Sequence, residues 1–135
     1  MTSTALQSDF FQWLDRALSQ PLPGAIVAFH LNLYEGTDSV HVQLIGCDSF
    51  NPGDDPGTDY WPGDEVFSTG EAVFEVPFAQ AGARWQDWLQ TLLELARAYL
   101  DAGAQAGVLR RSRGVGIGFV DGDMQLLWPP ARGHT

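Results

Sequence analysis

The chain has no lysine, a single cysteine and no long apolar run, and each absence removes a class of protein. With one thiol, Cys47, no internal disulfide can form, so 135 residues must be held by their core, in keeping with a reducing compartment. No stretch approaches the roughly 18 apolar residues that cross a bilayer. The opening MTSTALQSDFFQWLDRALSQ lacks the basic region and continuous apolar segment of a secretory signal. The expectation is a cytoplasmic protein with no membrane partner. Also missing are a Walker loop, G-x-S-x-G, H-E-x-x-H and paired zinc-type cysteines. No catalytic residue, metal site or cofactor is therefore assigned.

Positive charge is absent from half the chain. All seven bases are arginines (Arg16, Arg84, Arg97, Arg110, Arg111, Arg113 and Arg132), and none lies between positions 17 and 83. That interval holds Glu35, Asp38, Asp48, Asp54, Asp55, Asp59, Asp64, Glu65, Glu71 and Glu75, so the formal net charge of −10 is concentrated there. Such a field repels phosphate backbones, which argues against nucleic acid, and attracts a basic protein partner.

What is present reads as one α+β domain over 1–135, with loose tails at 1–5 and 129–135. Phe10, Trp13, Leu14, Ala17 and Leu18 recur at helical spacing and predict a helix over 6–19, stopped by QPLPG. AIVAFHLNLY and SVHVQLIGC alternate as two strands around EGTD. A Gly36-Thr37 turn pairs Leu33 with Val40, Leu31 with Val42 and Phe29 with Leu44, and sets His30 diagonally to His41 on the outer face. Ala72, Phe74 and Val76 mark a further strand closed by Pro77. Trp85, Trp88, Leu89, Leu92, Leu95, Ala96, Tyr99 and Leu100 form the apolar stripe of a helix over 83–102, with Gly103 as its stop. GVGIGFV-DG-DMQLLW predicts a second hairpin, pairing Phe119 with Met124, Ile117 with Leu126 and Val115 with Trp128. Gly116 and Gly118 leave its other face bare. The order α-β-β-β-α-β-β implies a two-layer sandwich, a mainly antiparallel sheet with helices packed on one face.

Between the second and third strands lies DSFNPGDDPGTDYWPGDE, residues 48–65, with six carboxylates, three prolines, three glycines and no base. Its composition predicts a long acidic loop over 48–64, and loops beyond about 12–15 residues tend to be functional or disordered. Asp54, Asp55, Asp59, Asp64 and Glu65 are the candidate steering charges for a basic partner, and Tyr60 and Trp61 its candidate anchors. The oxygen ligands of the loop lack the spacing of a twelve-residue calcium loop. Arg110, Arg111 and Arg113 either pair internally with this loop or grip an acidic group. Cys47, beside Asp48, reads as a packed inert thiol.

The stretch DYWPGDEVFSTGEAVFEVP resembles small bacterial immunity proteins of contact-dependent and polymorphic toxin systems. The shared features are Asp59, Trp61, the run Asp64 to Phe67, and the late Gly118 to Asp123 hairpin. That resemblance implies a protein that binds and blocks a cognate toxin without catalysis. In size, charge and element order the chain also resembles class I type III secretion chaperones, which implies a homodimer holding an extended effector segment; monomer and homodimer both stay open. A third reading is a metal-dependent enzyme built on His30, His41 and the loop carboxylates.

Overall fold

The computed structural model describes residues 4–52, 60–62, 64–119 and 125–128, with side chains at 50–52 and 60–62 outside the description. Helix α1, Thr4–Ser19, starts two residues before the expected boundary and buries Leu6, Phe10, Trp13, Leu14, Ala17 and Leu18 along one stripe. Strands β1, Ala28–Glu35, and β2, Ser39–Cys47, follow as an antiparallel hairpin. Strands β3, Phe50–Pro52, and β4, Tyr60–Pro62, pair with each other. Strands β5, Glu65–Ser68, and β6, Phe74–Pro77, are joined through Thr69 and Gly70. Three helices come next: α2, Phe78–Ala81, α3, Trp85–Ala102, and α4, Ala106–Arg110. Strands β7, Val115–Phe119, and β8, Gln125–Trp128, complete the order.

The main sheet runs β5-β2-β1-β7-β8, with β6 also pairing β2. It is an α+β sandwich as expected, but the sheet is mixed, because β1 and β7 are parallel at its centre. The two sequence hairpins are thus neighbours, joined side by side with the helices as the crossover.

The first hairpin keeps the expected apolar face and moves its register by two residues. Leu33 faces Val42, Leu31 faces Leu44 and Phe29 faces Gly46. A Gly36-Thr37 turn would need a positive φ at Gly36, and among the described residues only Gly70 and Gly82 have one. Gly36 instead sits in the ladder, donating its N–H to the Ser39 carbonyl at 2.8 Å, so Thr37 and Asp38 make the turn. A Cβ there would lie 2.5 Å from His41 Nε2, so a larger residue would have to displace that ring. The two-residue shift preserves which side chains share a face, because the strand period is two.

In the second hairpin Val115 faces Trp128 as expected, then the register slips: Gly116 faces Leu126 and Ile117 faces Gln125. The Phe119–Met124 pairing lies outside the described residues.

The core lies between the helices and the face carrying Phe29, Leu31, Leu33, Val40, Val42, Leu44, Val76 and Ile117. Fully burying one such leucine contributes about 2 kcal/mol. Trp85, expected in the buried stripe of α3, is 54% exposed. It stands at the first residue of α3, with its ring edge-on to Phe119 at 6.2 Å. Trp88, one turn on, is buried and stacks on Phe78 at 4.8 Å. Ala72 is exposed, while Phe74 and Val76 are buried as expected. The Tyr99 hydroxyl donates to Asp15 Oδ1 at 2.6 Å and accepts from the Gln105 N–H at 3.1 Å, tying α1, α3 and the turn before α4 together.

Candidate functional site

The acidic run is built on the end of the sheet where β2 stops and β5 begins. Cys47 faces Glu65 across that pair. One residue on, the Asp48 N–H donates to the Asp64 carbonyl at 3.0 Å, and the Asp64 N–H donates to Asp48 Oδ1 at 2.9 Å. Phe50 then faces Pro62, Asn51 faces Trp61 and Pro52 faces Tyr60. Segment 48–64, read from its composition as a loop, therefore carries a ribbon that continues the β2–β5 pairing past the sheet. The prolines do not forbid this, because a two-stranded ribbon consists only of edges, where a missing N–H is tolerated.

Of the expected partner-binding residues, Asp64 and Glu65 are exposed at the root of the ribbon. Tyr60 and Trp61 stand on β4, and the anchoring assigned to their rings lies outside the described residues. Asp54, Asp55 and Asp59 lie outside them as well. Asp48, not chosen from the sequence as a partner contact, is exposed, and its carboxylate holds the Asp64 N–H. The signal for it was an acid at the mirror position of Asp64, readable only once the pairing is known.

The root of this ribbon is anchored from the sheet face turned away from the helices. Ala28, His30, Ile45 and Cys47 are buried there, apart from the main core. His30 Nδ1 lies 3.6 Å from Cys47 Sγ. Burial pushes the His30 imidazole down from 6.5 to about 4, so the ring is neutral at physiological pH. Gly116 and Gly118, expected to leave a bare surface, are also buried.

The two histidines do not meet. His30 faces Ile45 and His41 faces Tyr34, four rows apart in the sheet, or roughly 13 Å at about 3.3 Å per residue. His41 instead lies 3.5 Å from the Glu75 carboxylate and packs edge-on to Tyr34. The paired-imidazole site on which a metal-dependent reading rested is therefore not formed. Among the described residues no three His, Cys, Asp or Glu side chains converge as metal ligands. No described helix is long and apolar enough to cross a membrane.

The arginine cluster is exposed and partly committed elsewhere. The Arg110 guanidinium donates to the Leu100 carbonyl in the last turn of α3, a favourable place for a cation. The Arg113 backbone N–H donates to the Val27 carbonyl at 2.8 Å. Among the described residues none of Arg110, Arg111 and Arg113 forms an ion pair with Asp48, Asp64 or Glu65.

Two clefts are lined by described residues outside the acidic ribbon. One cleft, about 370 Å³, opens between α1 and the β5–β6 turn beside Trp13, Arg16 and Thr69. Another, about 420 Å³, opens between α3, α4 and β8 beside Arg97, Arg110 and Trp128. No local pattern announces the second, because its walls come from α3, α4 and β8, and the slip after Val115–Trp128 is what turns Leu127 into it. Compared with protein-family models, curated proteins and solved structures, the chain finds no match in any of the three.

Proposed function

We propose that the chain is a non-enzymatic acidic binding module that takes a basic protein partner, in the manner of an immunity protein, along the 48–65 ribbon. Asp54, Asp55, Asp59, Asp64 and Glu65 steer the partner, and Tyr60 and Trp61 anchor it. The observation that carries this reading is that the acidic run is built outward from the sheet end, with Asp64 and Glu65 exposed and unpaired with any arginine among the described residues. A rigid root favours the role: the Asp48–Asp64 hydrogen bonds and the buried layer around His30 and Cys47 fix where the charges leave the body, which lowers the ordering cost of binding.

Charge on such a surface acts mainly on the association rate. The test pairs the purified protein with basic proteins encoded beside its own gene and follows association by stopped flow at rising salt. The expected association rate falls about tenfold between low and physiological ionic strength. Replacing Asp64 by Asn and Glu65 by Gln together should slow association by about twofold to fivefold and leave dissociation nearly unchanged. An association rate that ignores both salt and these substitutions would remove the steering role, and the reading with it.

A further inference from the structure

The cleft between α3, α4 and β8 offers a different chemistry from the acidic ribbon. We propose that it binds an amphipathic monoanion, with a carboxylate head between Arg97 and Arg110 and a short apolar tail lying over Leu100, Leu127 and the Trp128 ring. This inference is independent of the partner reading above and uses none of its residues.

Size and charge come first. A volume of about 420 Å³ falls within the range of small-ligand sites, roughly 300–1,000 Å³. Two of the described chain's six arginines line this one cleft, in a protein whose formal net charge is −10. Arg97 is exposed, and its guanidinium makes no hydrogen bond or ion pair with the described residues. Arg110 is held in place by its bond to the Leu100 carbonyl, and that single bond leaves further guanidinium donors for a ligand. Asp101 also lines the cleft. Its negative charge disfavours a dianion such as phosphate and leaves a singly charged carboxylate the better fit.

The floor comes next. Leu100 and Leu127 line the cleft from inside, and the same two side chains line an apolar void of about 10 Å³ shared with Leu14, Leu31, Leu44 and Tyr99. That is room for about one water-sized sphere with no polar partner to hold a water. Leu100 and Leu127 are thus backed by a small apolar gap rather than by tightly packed side chains.

The register slip in β8 builds this floor. Had the pairing begun at Val115–Trp128 continued without a slip, Leu127 would face Gly116, on the sheet side turned away from the helices. The slip leaves Leu127 as the extra residue between two pairs and turns it to the helix side, where it is buried against Leu14 and Leu31. Bulges commonly re-aim a side chain in this way. The indole N–H of Trp128 donates to the Arg110 carbonyl at 3.1 Å and holds the ring along α4 as a wall.

Octanoate is a suitable probe, titrated below its micelle concentration and followed by calorimetry and by the Trp128 indole N–H resonance. The expected result is saturable one-to-one binding that moves that resonance, with 1-octanol and inorganic phosphate each binding at least about tenfold more weakly. Arg97→Gln, at an exposed helical position, should weaken octanoate binding by about tenfold, and Arg97→Lys should recover most of the loss. Absence of saturation with octanoate overturns the proposal. So does octanoate binding that leaves the Trp128 resonance unmoved or is indifferent to Arg97→Gln. Phosphate binding as tightly as octanoate overturns it too, since the cleft would then hold a small anion without regard to the tail.

Discussion

At the scale of the residue, His30 governs how the fold responds to acid. Its imidazole is 8% exposed and sits against the Cys47 thiol, so protonation would place a cation in a buried layer without a carboxylate beside it among the described residues. The folded value is about 4 against 6.5 for the free side chain. Between those values the unfolded chain binds more protons than the folded one. Stability therefore rises with pH from about 4, is complete above about 6.5, and loses ~3 kcal/mol on acidification across that window. Urea unfolding at closely spaced pH values checks this. His30→Leu should flatten that part of the profile, and an unchanged slope in the variant would assign the acid sensitivity to carboxylates instead. Tyr99 behaves oppositely. Burial and its hydrogen bond to Asp15 push the phenol far above its ordinary range, so it remains a donor at every working pH.

At the scale of the element, the beginning of α3 depends on one backbone position. Gly82 has φ of 123°, a region L side chains rarely adopt, and a Cβ there would lie 2.3 Å from the Asp87 Cβ. Asp87 cannot easily yield, because its Oδ2 accepts the Arg84 N–H at 3.2 Å in the first turn of the helix. The Gly82 carbonyl in turn accepts the Trp88 indole N–H at 2.9 Å. Gly82→Ala should cost about 2–4 kcal/mol, read as a lower denaturation midpoint with the m-value unchanged. An effect below about 0.5 kcal/mol would show that the segment simply rearranges.

How far these elements were legible in the sequence follows from the same local physics. The stripes of α1 and α3 and the shared face of Phe29, Leu31 and Leu33 could be read because burial imposes a period on side chains. The register of β1–β2 could not, because a two-residue shift leaves that periodic signal unchanged and only the φ of Gly36 decides between turns. The β3–β4 ribbon was hidden by composition, since its Pro and Gly content is shared by loops and by strands that have no inner neighbour. The parallel β1–β7 pairing and the Arg97–Trp128 cleft join distant segments, and no local pattern announces either. Trp85 misled because spacing alone does not tell which turn of a helix is covered, and the first turn of α3 leaves its tryptophan exposed.

At the scale of the whole molecule, net charge and His30 act together. The sequence isoelectric point is about 4.3, close to where His30 charges in the folded state. Near that pH the protein loses its self-repulsion while its buried layer is being destabilised. Light scattering across pH should therefore show association peaking near pH 4.3 and vanishing above about pH 6, with His30→Leu reducing the peak. Equal scattering by the variant would leave loss of charge as the sole cause.

The parallel seam at the centre of the sheet also sets an order of events during synthesis. Strand β1 finds its first neighbour at once in β2, but its other edge must wait for β7, so the Phe29 N–H lacks its acceptor, the Gly114 carbonyl, until that stretch has been made. A growing polypeptide carries an open, hydrogen-bond-hungry flank through most of its translation. Any premature stop ahead of Val115 would release that flank unsealed, ready to pair with a stranger.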